Sequence, residues 1–283
     1  MSDDINQKSH DRITPTADLI SYFRTFSDIP YCSEIAEITY AKKIAEEILK
    51  DSFKKSFYLA SMAEARYKRI DIQAHKYKNI LEIAVGRSPR GLIFTEDQEI
   101  NYVATDLPDS LANHRSLIEE LMKRHNLKRP NLKFAPANAL NFNELKDALD
   151  LLPKGQVAVI SEGFMIYLSD KERLIFLDNV RRLLVERGGC LITSDVIFPP
   201  RSSNKSPAGI FDNLSKTTGG RDMRNSSFRD IQEARSFFDG NGFVPEIYTD
   251  KVDITSIKKL KLENDPASQR VSSYPVWVLK AKI

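Results

Sequence analysis

The chain has 283 residues and a mass of 32.3 kDa, room for one large domain or two small ones. Its 41% hydrophobic and 29% charged residues, with 11 Gly and 13 Pro, exclude collagen-like and low-complexity classes. A balance of 42 basic to 39 acidic residues, net +3, is not a nucleic-acid-binding signature. No apolar run approaches the roughly 20 residues that span a bilayer. The opening MSDDINQKSHDR lacks a signal-peptide core, and two cysteines, Cys32 and Cys190, are too few for a disulfide framework. These features lead us to expect a cytoplasmic protein with neither membrane nor nucleic-acid partners.

After 13 polar residues expected to fray, Thr16 to Phe26 carries Leu19, Ile20, Phe23 and Phe26 at helical spacing. Past a turn at Asp28 to Pro30, Ser33 is placed to cap a second helix with Ile35, Ile38, Ala41, Ala45 and Ile48 on one face. A third helical stretch runs from about Phe53 to His75. Residues 1–78 thus read as an all-helical cover whose apolar faces need a partner.

From Asn79 short apolar runs take over. Ile80 to Ala84, Tyr102 to Thr105, Val157 to Ile160 and Cys190 to Thr193 are strand-sized, and residues 109–126 and 170–187 between them are helix-like. This βαβ rhythm predicts a parallel sheet. Ser169 and Glu172 form a capping box for the 170–187 helix, and Gly188-Gly189 ends it. The Pro-, Ser- and Gly-rich stretch near 199–227 is expected to be a substrate loop. A helix over about Phe228 to Asp239 and strands at Val244 to Thr249 and Pro275 to Lys280 complete the chain. Lys258, Lys259, Lys261 and Glu263 between those strands read as solvated surface.

Ligands in an open α/β sheet bind beyond the C-terminal strand ends. The first strand runs into Glu82-Ile83-Ala84-Val85-Gly86-Arg87-Ser88-Pro89-Arg90-Gly91, a tight strand-to-helix turn. A dinucleotide fingerprint would place glycines where Ala84 and Pro89 stand, and only Gly86 matches, so a cofactor without phosphates fits better. The second strand ends at Asp106, 24 residues after Glu82, where a carboxylate can accept ribose hydroxyls; its plainer role is a helix cap ahead of Pro108. The fourth runs into Ser161-Glu162-Gly163-Phe164-Met165-Ile166-Tyr167-Leu168.

This arrangement resembles the class I S-adenosylmethionine-dependent methyltransferases of the leucine carboxyl methyltransferase and bacterial polyketide O-methyltransferase type. The E-G-x-x-x-Y-L segment of that family stands intact at Glu162 to Leu168. Its G-x-G-x-D-x-R turn is partial at Ala84 to Arg90, with Ala for the first Gly and Ser88 for Asp. Its arginine five residues before an aspartate is matched by Arg66 and Asp71. The resemblance implies a Rossmann-like methyltransferase fold, a seven-stranded, mostly parallel sheet with one antiparallel strand, and S-adenosylmethionine as cofactor. By the same resemblance Arg66 pairs with the cofactor's methionine carboxylate and Gly86 admits its methionine portion. Asp106 takes the ribose hydroxyls, Asn138 the adenine amino group, and Glu162 faces the cofactor. Glu82, Ala84, Leu107, Ala139, Leu140 and Gly163 complete that binding set.

The implied activity is O-methylation of a carboxylate or hydroxyl on a small, polyketide-like molecule or a peptide C-terminus. A carboxylate acceptor is ionised at neutral pH, whereas a phenol or alcohol benefits from a base. None of His10, His75, His114 and His125 lies in a strand-end motif, so no catalytic residue is assigned, and no metal site is expected. The rival readings are an NAD-dependent oxidoreductase and a catalytically inactive methyltransferase-like binding protein.

Overall fold

The computed structural model describes residues 14–196, 216, 218, 227–266, 268, 271 and 275–283. The expected frayed start and most of the expected substrate loop near 199–227 lie outside them.

Among the described residues four helices come first: α1 (Thr14–Arg24), α2 (Cys32–Ile38), α3 (Ala41–Leu49) and, after a 3-10 stretch at Lys50–Ser56, α4 (Tyr58–Ala74). The expected second helix is therefore two. Thr39 leaves the helical path and Tyr40 takes φ 52°, so the chain bends between Ile38 and Ala41. Ser33 is not its cap: α2 starts one residue earlier, behind Tyr31 at φ 66°, with no side-chain cap.

The alternating part follows as β1 (Asn79–Ile83), α5 (Arg90–Phe94), β2 (Asn101–Asp106), α6 (Pro108–Arg124), β3 (Leu132–Pro136), α7 (Phe142–Asp150) and β4 (Val157–Ser161). After a 3-10 turn at Met165–Tyr167 come α8 (Asp170–Arg187), β5 (Gly189–Thr193), α9 (Ile231–Gly240), β6 (Phe243–Tyr248), α10 (Thr255–Leu260) and β7 (Val276–Ala281). The strand order is β3-β2-β1-β4-β5-β7-β6. The first five strands pair in parallel, and β7 runs antiparallel to both β5 and β6.

The two-residue period of the strands sorts their side chains onto two packed faces. Leu81, Val103, Val157, Val159 and Leu191 pack with α7, α8 and α9 through Leu145, Phe176, Leu177 and Phe238. Ile80, Tyr102, Ala158, Ile160 and Ile192 pack on the other side against Ile35, Ile70, Leu92 and Ile118, from α2, α4, α5 and α6. A third cluster joins α1, α3 and α4 through Leu19, Phe23, Ala45, Leu49 and Leu59 to Ile166 and Tyr167 beyond β4. The helices of residues 14–74 thus rest both on a sheet face and on the loop at its C-terminal end.

The capping box of α8 forms as expected: Ser169 Oγ accepts from Glu172 N, and Glu172 Oε2 accepts from Ser169 N. Gly188 ends that helix at φ 71°, and Gly189 takes φ 106°. A Cβ on Gly189 would stand 1.9 Å from the Val157 carbonyl oxygen. Only glycine lets β5 start this close to β4.

Candidate active site at the strand ends

Parallel pairing brings the C-terminal ends of β1, β2, β3 and β4 side by side, with Ile83 level with both Thr105 and Ser161 and Asp106 level with Pro136. Ala84, Gly86, Asp106, Leu107, Asn138, Leu140, Glu162 and Gly163 are half-buried there, while Ala139 is buried. Ala84 at φ 57° and Gly86 at φ 53° shape the turn after β1. Alanine thus occupies a left-handed position that the resemblance gives to glycine, at a small steric cost.

The Gly86 peptide is held from both sides. Its N–H donates to Asp106 Oδ2 at 3.0 Å, and its carbonyl lies 3.0 Å from His114 Nδ1, so the neutral imidazole donates. Burial lowers the His114 pKa to about 4, against the pull of that carbonyl. Asp106 also accepts from Leu107 N at 2.8 Å. It does not cap α6, whose N-terminus has no side-chain cap. Burial raises the Asp106 pKa, and the two N–H groups work the other way. Two backbone donors leave two of its roughly four lone-pair sites for further donors. At the β3 end, Asn138 Oδ1 accepts from Leu140 N at 2.9 Å, and Asn138 N donates to Glu144.

The β4 end carries a cluster of charges. Glu162 Oε1 accepts from Arg24 Nη2 at 2.7 Å and Arg66 Nη2 at 3.4 Å, and Oε2 accepts from Arg90 Nη2 at 2.7 Å. Burial pushes the Glu162 pKa up, but the charges of Arg24, Arg90 and Arg66 outweigh it and bring it down to about 2. Arg90, with no exposed surface, also donates to Asp71 Oδ1 at 2.6 Å and to Glu82 Oε1. Burial raises Asp71 to about 7 against the Arg90 charge. The guanidiniums of Arg24 and Arg90 both lie against the Tyr67 ring, 5.0 and 4.1 Å from its centroid.

The structure therefore gathers Arg66, Gly86, Asp106 and Glu162 at one end of the sheet. It turns Glu82 inward, where Arg90 and the Tyr102 hydroxyl occupy its two oxygens. Glu162 acts on its neighbours: its carboxylate brings three guanidiniums together. Arg24, Asp18, His114 and Asp195 were not among the sequence-based candidates, and Arg90 entered only as a motif position. Helix α1 closes over the turn. Asp18 Oδ1 accepts from Arg87 Nε at 2.7 Å, and Ala17 Cβ is 3.3 Å from where a Gly86 Cβ would lie. Of the other histidines, His75 stacks on Phe94 and His125 pairs with Glu34; His10 lies outside the described residues.

No family model matches the sequence, and no curated protein does. Solved structures match in fold. The structure described as PigF with SAH aligns at TM-score 0.51 and 14% identity, over 84% of this chain and 62% of that one. An O-methyltransferase family protein from Burkholderia thailandensis aligns at 0.49 and 11%, over 83% and 61%. LepI in complex with SAM aligns at 0.46 and 11%, over 75% and 46%. The chain thus spans between 46% and 62% of the length of these structures. At such identities the likeness is one of fold, and with its strand order and antiparallel β7 the chain has the Rossmann-like fold of the class I methyltransferases.

Proposed function

We propose that the protein is an S-adenosylmethionine-dependent O-methyltransferase acting on a carboxylate or hydroxyl of a small molecule, polyketide-like in size, or of a peptide C-terminus. The observation that carries this reading is the row of groups across four adjacent strand ends: the arginines around Glu162, the Gly86 turn, Asp106 and Asn138.

These residues fit an amino-acid nucleoside. Arg24 Nε and Arg66 Nε are buried without a hydrogen-bond partner, so two charged donors are left for a carboxylate. A Cβ on Gly163 would lie 3.8 Å from Arg66 Nη2, so glycine keeps the space beside that guanidinium open. The remaining lone pairs of Asp106 suit ribose hydroxyls. Asn138 Oδ1 accepts from Leu140 N and keeps a second lone pair for the adenine amino group, while its amide N–H groups suit an adenine ring nitrogen.

When bound, the sulfonium cofactor supplies an electrophilic methyl group. The chain's part is to hold, orient and exclude water. Arg24 and Arg66 fix one end of the ligand, and Asp106 and the Gly86 backbone fix its middle. Helix α1 and the other helices between Thr14 and Ala74 cover the acceptor side of a sheet domain from residue 79 onward. Holding an acceptor oxygen in line at attack distance is worth as much as about 7–11 kcal/mol. The unpaired, buried thiols of Cys32 and Cys190 suit a reducing cytoplasm.

Calorimetry with S-adenosylmethionine, S-adenosylhomocysteine and NAD tests the reading. We expect both sulfur nucleosides to bind. NAD binding alone would overturn the proposal in favour of an oxidoreductase, and binding without transfer to any acid or hydroxyl acceptor would point to an inactive binding protein.

A further inference from the structure

We propose that Asp195 is the positioning residue of this site, fixing the loop that carries Glu162 and, through Glu162, the arginine cluster. This inference rests on the proposed methyltransferase reading.

Strands β4 and β5 pair in parallel up to Ser161 and Thr193. Two residues further on, Asp195 takes over the pairing with its side chain. Its Oδ1 accepts from Gly163 N at 2.6 Å, and its Oδ2 accepts from Phe164 N and Met165 N at 2.8 Å each. Three successive backbone donors thus converge on one carboxylate that is 2% exposed. Asp195 is anchored in turn, its own N–H donating to Thr193 Oγ1 at 3.1 Å.

The loop would otherwise be a poor support. Gly163 sits at φ 71°, and the turn at Met165–Tyr167 is only three residues long. Glu162 is at its root, one residue before the first gripped N–H, and its two oxygens organise Arg24, Arg66 and Arg90. Charge-assisted hydrogen bonds of this length are strong and directional, and in a buried setting water does not replace them when one is lost. Burial raises the Asp195 pKa, while the charge of Arg66 and the three N–H groups favour its ionised form. Arg66 therefore lies in the field of both Asp195 and Glu162. Asp195 acts through Glu162 and not by contact with the ligand. It decides where Glu162 stands, and Glu162 decides where the guanidiniums stand.

Asp195→Asn is the test variant, because it keeps the shape but turns an amide donor toward N–H groups. We expect the dissociation constant for S-adenosylhomocysteine to rise at least tenfold by calorimetry. Amide exchange should quicken at Gly163, Phe164 and Met165, with β4 and β5 still protected. A structural role alone would lower the unfolding midpoint and protection throughout β4 and β5, leaving the affinity of the folded protein unchanged; that result overturns the assignment. If Asp195→Asn does not fold, wild-type exchange decides: the three loop amides should exchange at least tenfold more slowly than those of the exposed loop 154–156, and equal rates overturn the proposal. Failure of the wild type to bind either sulfur nucleoside overturns the methyltransferase reading, whereas wild-type binding with an unaffected Asp195→Asn overturns the positioning role by itself.

Discussion

Arg24 and Glu162 stand 138 residues apart in the chain and 2.7 Å apart in the fold. Together with Asp18 on Arg87, this pair ties helix α1 to two different strand ends, after β1 and after β4. Helix α1 is thus a wall of the candidate site, joined to it by charge as well as by the packing of Leu19 and Phe23.

Arg24→Leu should destabilise the protein by about 1.5–3 kcal/mol, the range for a lost hydrogen bond to a charged group. Glu162 keeps Arg66 and Arg90, so the loss stays below that of leaving a buried carboxylate bare. Denaturant unfolding measures it, and a change under about 0.5 kcal/mol would show that Arg24 adds nothing to the cluster.

Asp106→Ala should weaken S-adenosylmethionine binding by more than tenfold, on the order of 1.4 kcal/mol. Its two backbone donors, Gly86 N and Leu107 N, would be released together with the proposed ribose contacts. Titration calorimetry reads the affinity, and an unchanged value would remove Asp106 from the site.

Two buried groups make the fold sensitive to acid. His114 has a folded pKa of about 4 against 6.5, so its contribution is full above pH 6.5 and is lost as pH falls toward 4. Glu162, at about 2 against 4.5, contributes fully above 4.5 and loses that contribution as pH falls toward 2. Asp71 runs the other way: raised to about 7 from 3.8, it favours the fold most below 3.8, and that favour disappears as pH rises through 7. His114→Gln keeps a donor toward Gly86 without titrating. It should flatten the stability profile between pH 6.5 and 4 by roughly 3 kcal/mol relative to wild type. Parallel profiles from urea unfolding would contradict the buried neutral histidine.

Gly189→Ala should cost about 4 kcal/mol or more, since its Cβ would overlap the Val157 carbonyl oxygen and φ 106° is strained for any side chain. A midpoint within a few degrees of wild type in thermal unfolding would mean that β5 can shift away from β4.

Much of the sheet was legible because its strands are written locally. Leu81, Val159 and Leu191 sit in short apolar runs bounded by turn residues, and the Ser169–Glu172 box announces α8. β3 is not legible because Leu132–Pro136 is an edge strand that buries only Leu132 and Ala135, without strict alternation, and ends in a proline, too weak a pattern to separate from loop. The break at Tyr40 was also unreadable, for a tyrosine at positive φ has no sequence signature. At the site, Gly86, Asp106 and Glu162 could be found from strand-end motifs. Arg24 and Asp195 could not, because each is defined by partners on another element, and nothing beside Phe23 or Ser194 marks its neighbour as functional.

The span between Arg24 and Glu162 also bears on the order of assembly. Helix α1 reaches its polar partners 69 and 138 residues downstream, so its docking closes a long loop of chain. Until β4 is in place the guanidiniums of Arg24, Arg66 and Arg90 have no Glu162 to share and repel one another. We therefore expect helix α1 to dock after β1 and β4 have paired. Pulse-labelled hydrogen exchange should find the amides of α1 protected after those of β1 and β4.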